Sequence, residues 1–159
     1  MFLPELSDNR LVASSSDPQA GARSRLRLVR CLLERRSEAR TRASVEFEGP
    51  WFEQPLVFEQ EGATCAGGDL RLAARATLDA LTHATQGQLR FDLTGVKPTR
   101  AFDTSMMLVA VVVHCGDEHT RALGVAVDEN NDVLATVRAT LHAVNRFVSP
   151  ILGPLPLSD

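Results

Sequence analysis

The chain has no tyrosine, one tryptophan and only 5% aromatic residues in its 159 positions. Stacking platforms for nucleic-acid bases are hard to build from so few rings. Lysine occurs once, at Lys97, and the formal net charge is -3. Bulk attraction to phosphate is therefore not available, and no nucleic-acid partner is expected. No apolar run approaches the roughly 20 residues that span a bilayer, so no membrane partner is expected. The opening MFLPELSDNR has no basic start and no long apolar stretch, so a signal peptide is not expected. Cysteine is scarce: Cys31, Cys65 and Cys115 form neither a CxxC pair nor an even set. Reduced thiols in a cytoplasm follow. No GxGxxG, P-loop, HExxH or GxSxG string is present. No catalytic residue, metal or cofactor is expected.

What the chain does have is alternation, helical spacing and repetition. Residues 1–22 include ASSSDPQAGA, which is small, polar and broken by proline; a loosely ordered segment is expected there. SRLRLVRCLLERR and EARTRASVEFEG alternate with period two, as half-buried strands do. QPLVFEQEGAT gives a third, shorter strand. GGDLRLAARATLDALTHAT then places Leu70, Ala73, Ala74, Thr77, Leu78 and Leu81 at helical spacing, with Asp69 as the expected N-cap. The order recurs. QLRFDLTGV, SMMLVAVVVHC and TRALGVAVD read as strands, and Asn131-Asp132 opens a helix carrying Val133, Val137, Leu141, Val144 and Phe147. Helices are expected near 69–84 and 132–147. The last segment, 149–159, has three prolines and reads as an extended tail able to pack on the body or on a partner.

The repetition extends to identities. At a constant offset of 63 positions, Leu26-Arg27-Leu28 aligns with Leu89-Arg90-Phe91, Asp69 with Asp132, RATL at Arg75 with RATL at Arg138, and Ala80 with Ala143. First strand, helix start and helix agree in one ungapped register. The expected fold is therefore α+β: an internally duplicated βββα unit with pseudo-twofold symmetry, antiparallel sheets and one helix per unit. The duplicated domain covers 23–148, with units at 24–86 and 87–148. A three-stranded sheet with one helix leaves apolar surface open, and two such units can cover each other. The stretch 106–113 is apolar on both faces, so cover is needed from the first unit or from a second chain.

ALGVAVDENNDVLATVRATLHAVNRFV and GGDLRLAARATLDAL, in this order of elements, resemble the C-terminal regulatory domain of 2-isopropylmalate synthases and their relatives. Gly124, Asp132, Arg138, Ala139, Leu141, Ala143, Asn145 and Arg146 carry the likeness, which covers about residues 24–148. It implies a non-catalytic regulatory or small-molecule-binding module acting as a homodimer, with an amino acid as the family's effector. There is no catalytic barrel here, so synthase activity is not implied. The family's glycine-rich connection that helps form the effector pocket is GVKPTRAFDTS in this chain, with Gly95 alone. The implied site lies between the units near that connection and the strand end at 123–128, with Gly95, Thr99, Phe102, Asp103, Gly124, Ala126 and Asp128 as ligand-binding candidates. The alternative is an interaction or scaffold subunit that uses the fold only for dimerisation and protein contacts. A small enzyme ranks below both.

Two further clusters invite a function. HCGDEH packs His114, Cys115, Asp117, Glu118 and His119 together, as a zinc site or thiolate–histidine pair would. Alternation puts His114 and Cys115 on opposite faces, and a hairpin turn at Gly116-Asp117 is the better reading. The arginines from Arg23 to Arg42 could form a basic patch; the favoured reading is outward strand positions paired with Glu34, Glu38, Glu46 and Glu48.

Overall fold

A computed structural model describes residues 25–157. The expectation of a loose segment over residues 1–22 falls outside that range. The chain runs β1 (Arg27–Arg35), β2 (Arg40–Glu48), β3 (Leu56–Ala63), α1 (Gly68–Ala84), β4 (Arg90–Ala101), β5 (Thr104–Cys115), β6 (Glu118–Val127) and α2 (Asp132–Leu152). The strands form two antiparallel three-stranded sheets, β1-β2-β3 and β4-β5-β6. This is the α+β fold of two βββα units. Each helix covers the inner face of its own sheet and also reaches the first strand of the other unit, α1 against β4 and α2 against β1. That reciprocity is what a pseudo-twofold axis produces.

Alternation dictates which side chains meet the helices. β2 buries Thr41, Ala43, Val45 and Phe47, and β5 buries Met107, Val109, Val111 and Val113. Full burial of a Val, Leu or Phe side chain contributes roughly 1.5–3 kcal/mol. Both helices carry alanine stripes, Ala73, Ala76 and Ala80 on α1 and Ala135, Ala139 and Ala143 on α2, all buried. The small stripes let the two helices pack on each other between the sheets. One core cluster therefore includes residues of both units.

The offset of 63 holds in detail. Leu26 and Leu89 are each 2% exposed. Thr77 and Thr140 are both fully buried, and each hydroxyl donates to the carbonyl one turn back, Ala73 O at 2.9 Å and Thr136 O at 2.7 Å. Ala73 and Thr136 are themselves 63 apart. A buried hydroxyl satisfied on its own helix needs no partner in the core.

Three expectations need correction. Asp69 is not the N-cap of α1: Gly67 holds that place at φ 74°, without a side-chain cap, and Asp69 sits in the first turn. There its charge faces the positive helix end, but its Oδ1 is buried with no hydrogen-bond partner among the described residues. In α2 the cap is Asn131, whose side chain accepts from the Leu134 N–H at 3.0 Å, and Asp132 is the first helical residue. Next, α2 does not stop at 147. It continues through Pro150 to Leu152, because Val148 and Leu152 extend the buried stripe of Val144 and outweigh the lost backbone bond. Finally, GVKPTRAFDTS is not an open connection. β4 continues to Ala101, and only Phe102 and Asp103 turn, both at positive φ, as a two-residue hairpin requires.

Candidate functional site

Of the seven candidate ligand residues, four divide between the two faces of the second sheet and three lie beyond its rows. Gly95 stands opposite Ala110 beside a β-bulge, and Thr99 stands opposite Met106; both belong to the outer row. Gly124 and Ala126 belong to the inner row, opposite Val109 and Met107. Gly124 is there for packing. A Cβ on it would lie 1.9 Å from the Ala139 carbonyl oxygen and 2.4 Å from the Ala143 nitrogen, so only glycine allows α2 to approach β6 this closely. Phe102 and Asp103 form a fully exposed hairpin tip. Asp128 follows β6; its own N–H donates to Ser105 O, and its Oδ1 accepts from the Asn131 N–H at 2.9 Å, bracing the entry to α2. A period-two sheet cannot turn adjacent residues of one strand to one side, and this separates the outer pair from the inner pair.

HCGDEH is a hairpin end. Gly116 turns at φ 60°, and His114 pairs with Asp92 across to β4, Nε2 to Oδ2 at 2.7 Å. The ring of His119 lies beside that of His114, with centroids 6.2 Å apart. Among the described residues no group of three metal-ligating side chains converges. The arginines of the first unit form cross-strand ion pairs: Arg27 with Glu48 at 2.6 Å, Arg30 with Glu46 at 3.2 Å, Arg40 with Glu61 at 2.9 Å, and Arg42 with Glu59 and Glu61 at 3.4 Å. Glu46 and Glu48 are partners as expected. Glu59 and Glu61, on β3, were not foreseen. The hydrogen bond from Arg40 holds the Glu61 carboxyl below its ordinary range.

The structure also opens a cleft that no local pattern announces. It lies on the seam between the units, where β1 faces the first half of α2, and has a volume of about 300 Å³. Arg27, Arg30 and Arg138 line it, with Cys31, Asn131 and Pro156. Burial pushes the Cys31 thiol up from its ordinary value, while the Arg138 charge pulls it the other way. Pro156 belongs to the tail, which folds back along α2: the Leu155 N–H donates to Asn145 Oδ1 at 3.3 Å, and Leu155 is 7% exposed. The matching seam between β4 and α1 is built differently. Arg71 reaches across to the Thr94 carbonyl at 3.5 Å, and the recess beside it is lined by Arg75, Asp79 and Asp92.

The outer face of the second sheet is apolar along β5 and β6, while β4 turns Arg90, Asp92, Lys97 and Thr99 to the same side. β5 and β6 turn Met106, Leu108, Ala110 and Val112 outward beside Leu123, Val125 and Val127. Leu123 is 67% exposed and Val127 50%. Among the described residues no helix is long and apolar enough to cross a membrane. No protein-family model and no curated protein sequence matches the chain.

Proposed function

We propose that this chain is a non-catalytic regulatory module that works as a homodimer, docking a second copy on the outer face of β4-β5-β6. The observation that carries this reading is the apolar row of β5 and β6, which nothing among the described residues of the same chain covers. Soluble chains rarely leave such a contiguous face open. Three strands of ten to twelve residues, about 4.8 Å apart with a rise of about 3.4 Å, present roughly 500 Å², the apolar row on β5 and β6 and a polar margin on β4. Two such faces bury about 1,000 Å², the lower bound for a specific contact.

The edges of this sheet are poor places to add a strand. Pro98 and the bulge at Leu93/Gly95 interrupt β4, and the His142 ring occupies the free edge of β6 at Val125, within 3.1 Å of its N–H. Face-to-face packing remains. The likeness to the 2-isopropylmalate synthase regulatory domain supports a regulatory role for such a dimer, with a small-molecule effector. Three unpaired cysteines suit the reducing cytoplasm that this reading assumes. A scaffold that met partners through an exposed tail is supported less, because Leu155 packs on the body. Light scattering on the full chain at micromolar concentration tests the reading. A mass near twice 17.3 kDa is expected, and a mass of one chain that persists as concentration rises overturns it.

A further inference from the structure

The apolar outer row of β5 and β6 ends in a pair of histidines. His114 on β5 and His119 on β6 stand directly opposite each other, with ring centroids 6.2 Å apart. On the other side of β5, Arg90 stands opposite His114. The Asp92 carboxylate meets the same ring, Oδ2 to Nε2 at 2.7 Å. Arg121 is the next outer position of β6 after His119, opposite Val112. Cys115 and Glu118 form the pair beyond the histidines and turn to the other side of the sheet, and Asp117 lies in the turn. Among the described residues Asp92 is thus the one carboxylate on the outer rows of this sheet. It stands against Arg90, Arg121 and, farther along β4, Lys97. With both imidazoles neutral, the face already carries more positive than negative charge.

We propose that the His114–His119 pair makes the docking of a second copy proton-sensitive: two chains hold together near neutral pH and separate as the imidazoles take up protons. This rests on the face-to-face dimer. The lower bound of area for that contact is reached only if the full length of the sheet takes part, so the histidine end lies inside it. A charge that enters such a contact loses water and needs a partner. Asp92 is placed to answer a charged His114. A charged His119 would stand opposite that cation and beside Arg121, with no carboxylate of its own among the described residues. The second copy brings the same rows, in which Asp92 is already held by its own His114. In the separate chain His119 is exposed, and water accepts its charge. Protons therefore bind the separate chains better than the pair, and acid favours separation. Imidazole is the side chain that changes charge between about pH 5 and 8, above the range in which carboxylates take up protons.

Light scattering over a dilution series of the full chain at about pH 7.5 and about pH 5.5 tests this. One imidazole that is charged in the free chain and neutral in the contact raises the dissociation constant roughly tenfold over that span. A rise of at least that size is expected, with the far-UV circular dichroism unchanged. The double variant His114→Gln/His119→Gln should lose most of the rise, whatever its affinity at the higher pH. His83→Gln should keep it, because His83 packs with Phe52 and Phe58 in the first unit. The same dissociation constant at both pH values would overturn the switch and leave the dimer standing. The mass of one chain at both would overturn the dimer and the switch with it. A rise that persists in the double variant, that vanishes in His83→Gln, or that comes with loss of the fold would overturn the assignment to this pair.

Discussion

In the first unit β2 turns Arg40, Arg42, Ser44, Glu46 and Glu48 outward, laced to Arg27, Arg30, Glu59 and Glu61 on its neighbours. In the second, β5 turns Met106, Leu108, Ala110, Val112 and His114 outward, beside Leu123, Val125 and Val127. The inner rows of the same strands are alike. Packing against an alanine-striped helix fixes the inner row in both units, so it tolerates little change after duplication. The outer row is under no such constraint. One copy became a charge-paired surface that water accepts, and the other an apolar surface that water does not.

The largest effects should come from the inner rows. Each third strand has one inward glycine, and they are not equal. Gly124→Ala drives a Cβ into the backbone of α2 and should cost more than the roughly 1–3 kcal/mol of ordinary overpacking. Gly62→Ala meets only the flexible end of Leu72, at 3.0 Å, and should cost about 1 kcal/mol or less. Urea unfolding measures both, and equal losses would break the distinction.

Leu78→Ala and Leu141→Ala should each cost roughly 2–5 kcal/mol, by similar amounts, because the two side chains are 4% and 0% exposed at positions 63 apart. A near-zero cost at either would mean that the pseudo-symmetry does not reach that face.

The charged outer face should give a smaller effect that depends on pH. Glu61 is held below the usual carboxylate range, first by the Arg40 hydrogen bond and then by Arg42. The folded chain therefore takes up that proton at lower pH than the unfolded chain. The resulting stabilisation is complete above the ordinary glutamate range and fades as pH falls through the folded value. Glu61→Gln should flatten the acid limb of the stability curve, and high salt should shrink the difference. The wild type and the variant losing stability in parallel between pH 5 and pH 3 would show that the pairing is idle.

Much of this was legible along the sequence. Period-two runs and helical spacing locate all six strands and both helices, and one offset exposes the duplication. The double-sided apolarity of 106–113 already called for cover beyond its own helix. What escaped was set by contacts between distant residues. Val148 and Leu152 hold α2 together past Pro150 only because the core receives them. Gly124 looked like a ligand residue because its need for close helix approach is not written in its neighbours. The seam cleft joins β1 to α2 across about a hundred positions, and no spacing rule links them.

Paired light scattering on two single variants tests the divergence of the outer faces most directly. Val125→Arg puts a charge in the middle of the apolar row, and Ser44→Arg puts one in the middle of the charged row. Both sites face outward, so both variants should fold, as their unfolding midpoints will report. Val125→Arg should fall to the mass of one chain at concentrations where wild type and Ser44→Arg remain at two, a dissociation constant raised at least tenfold, or about 1.4 kcal/mol. A folded Val125→Arg that keeps the mass of two chains, or a Ser44→Arg that loses it, would contradict the account.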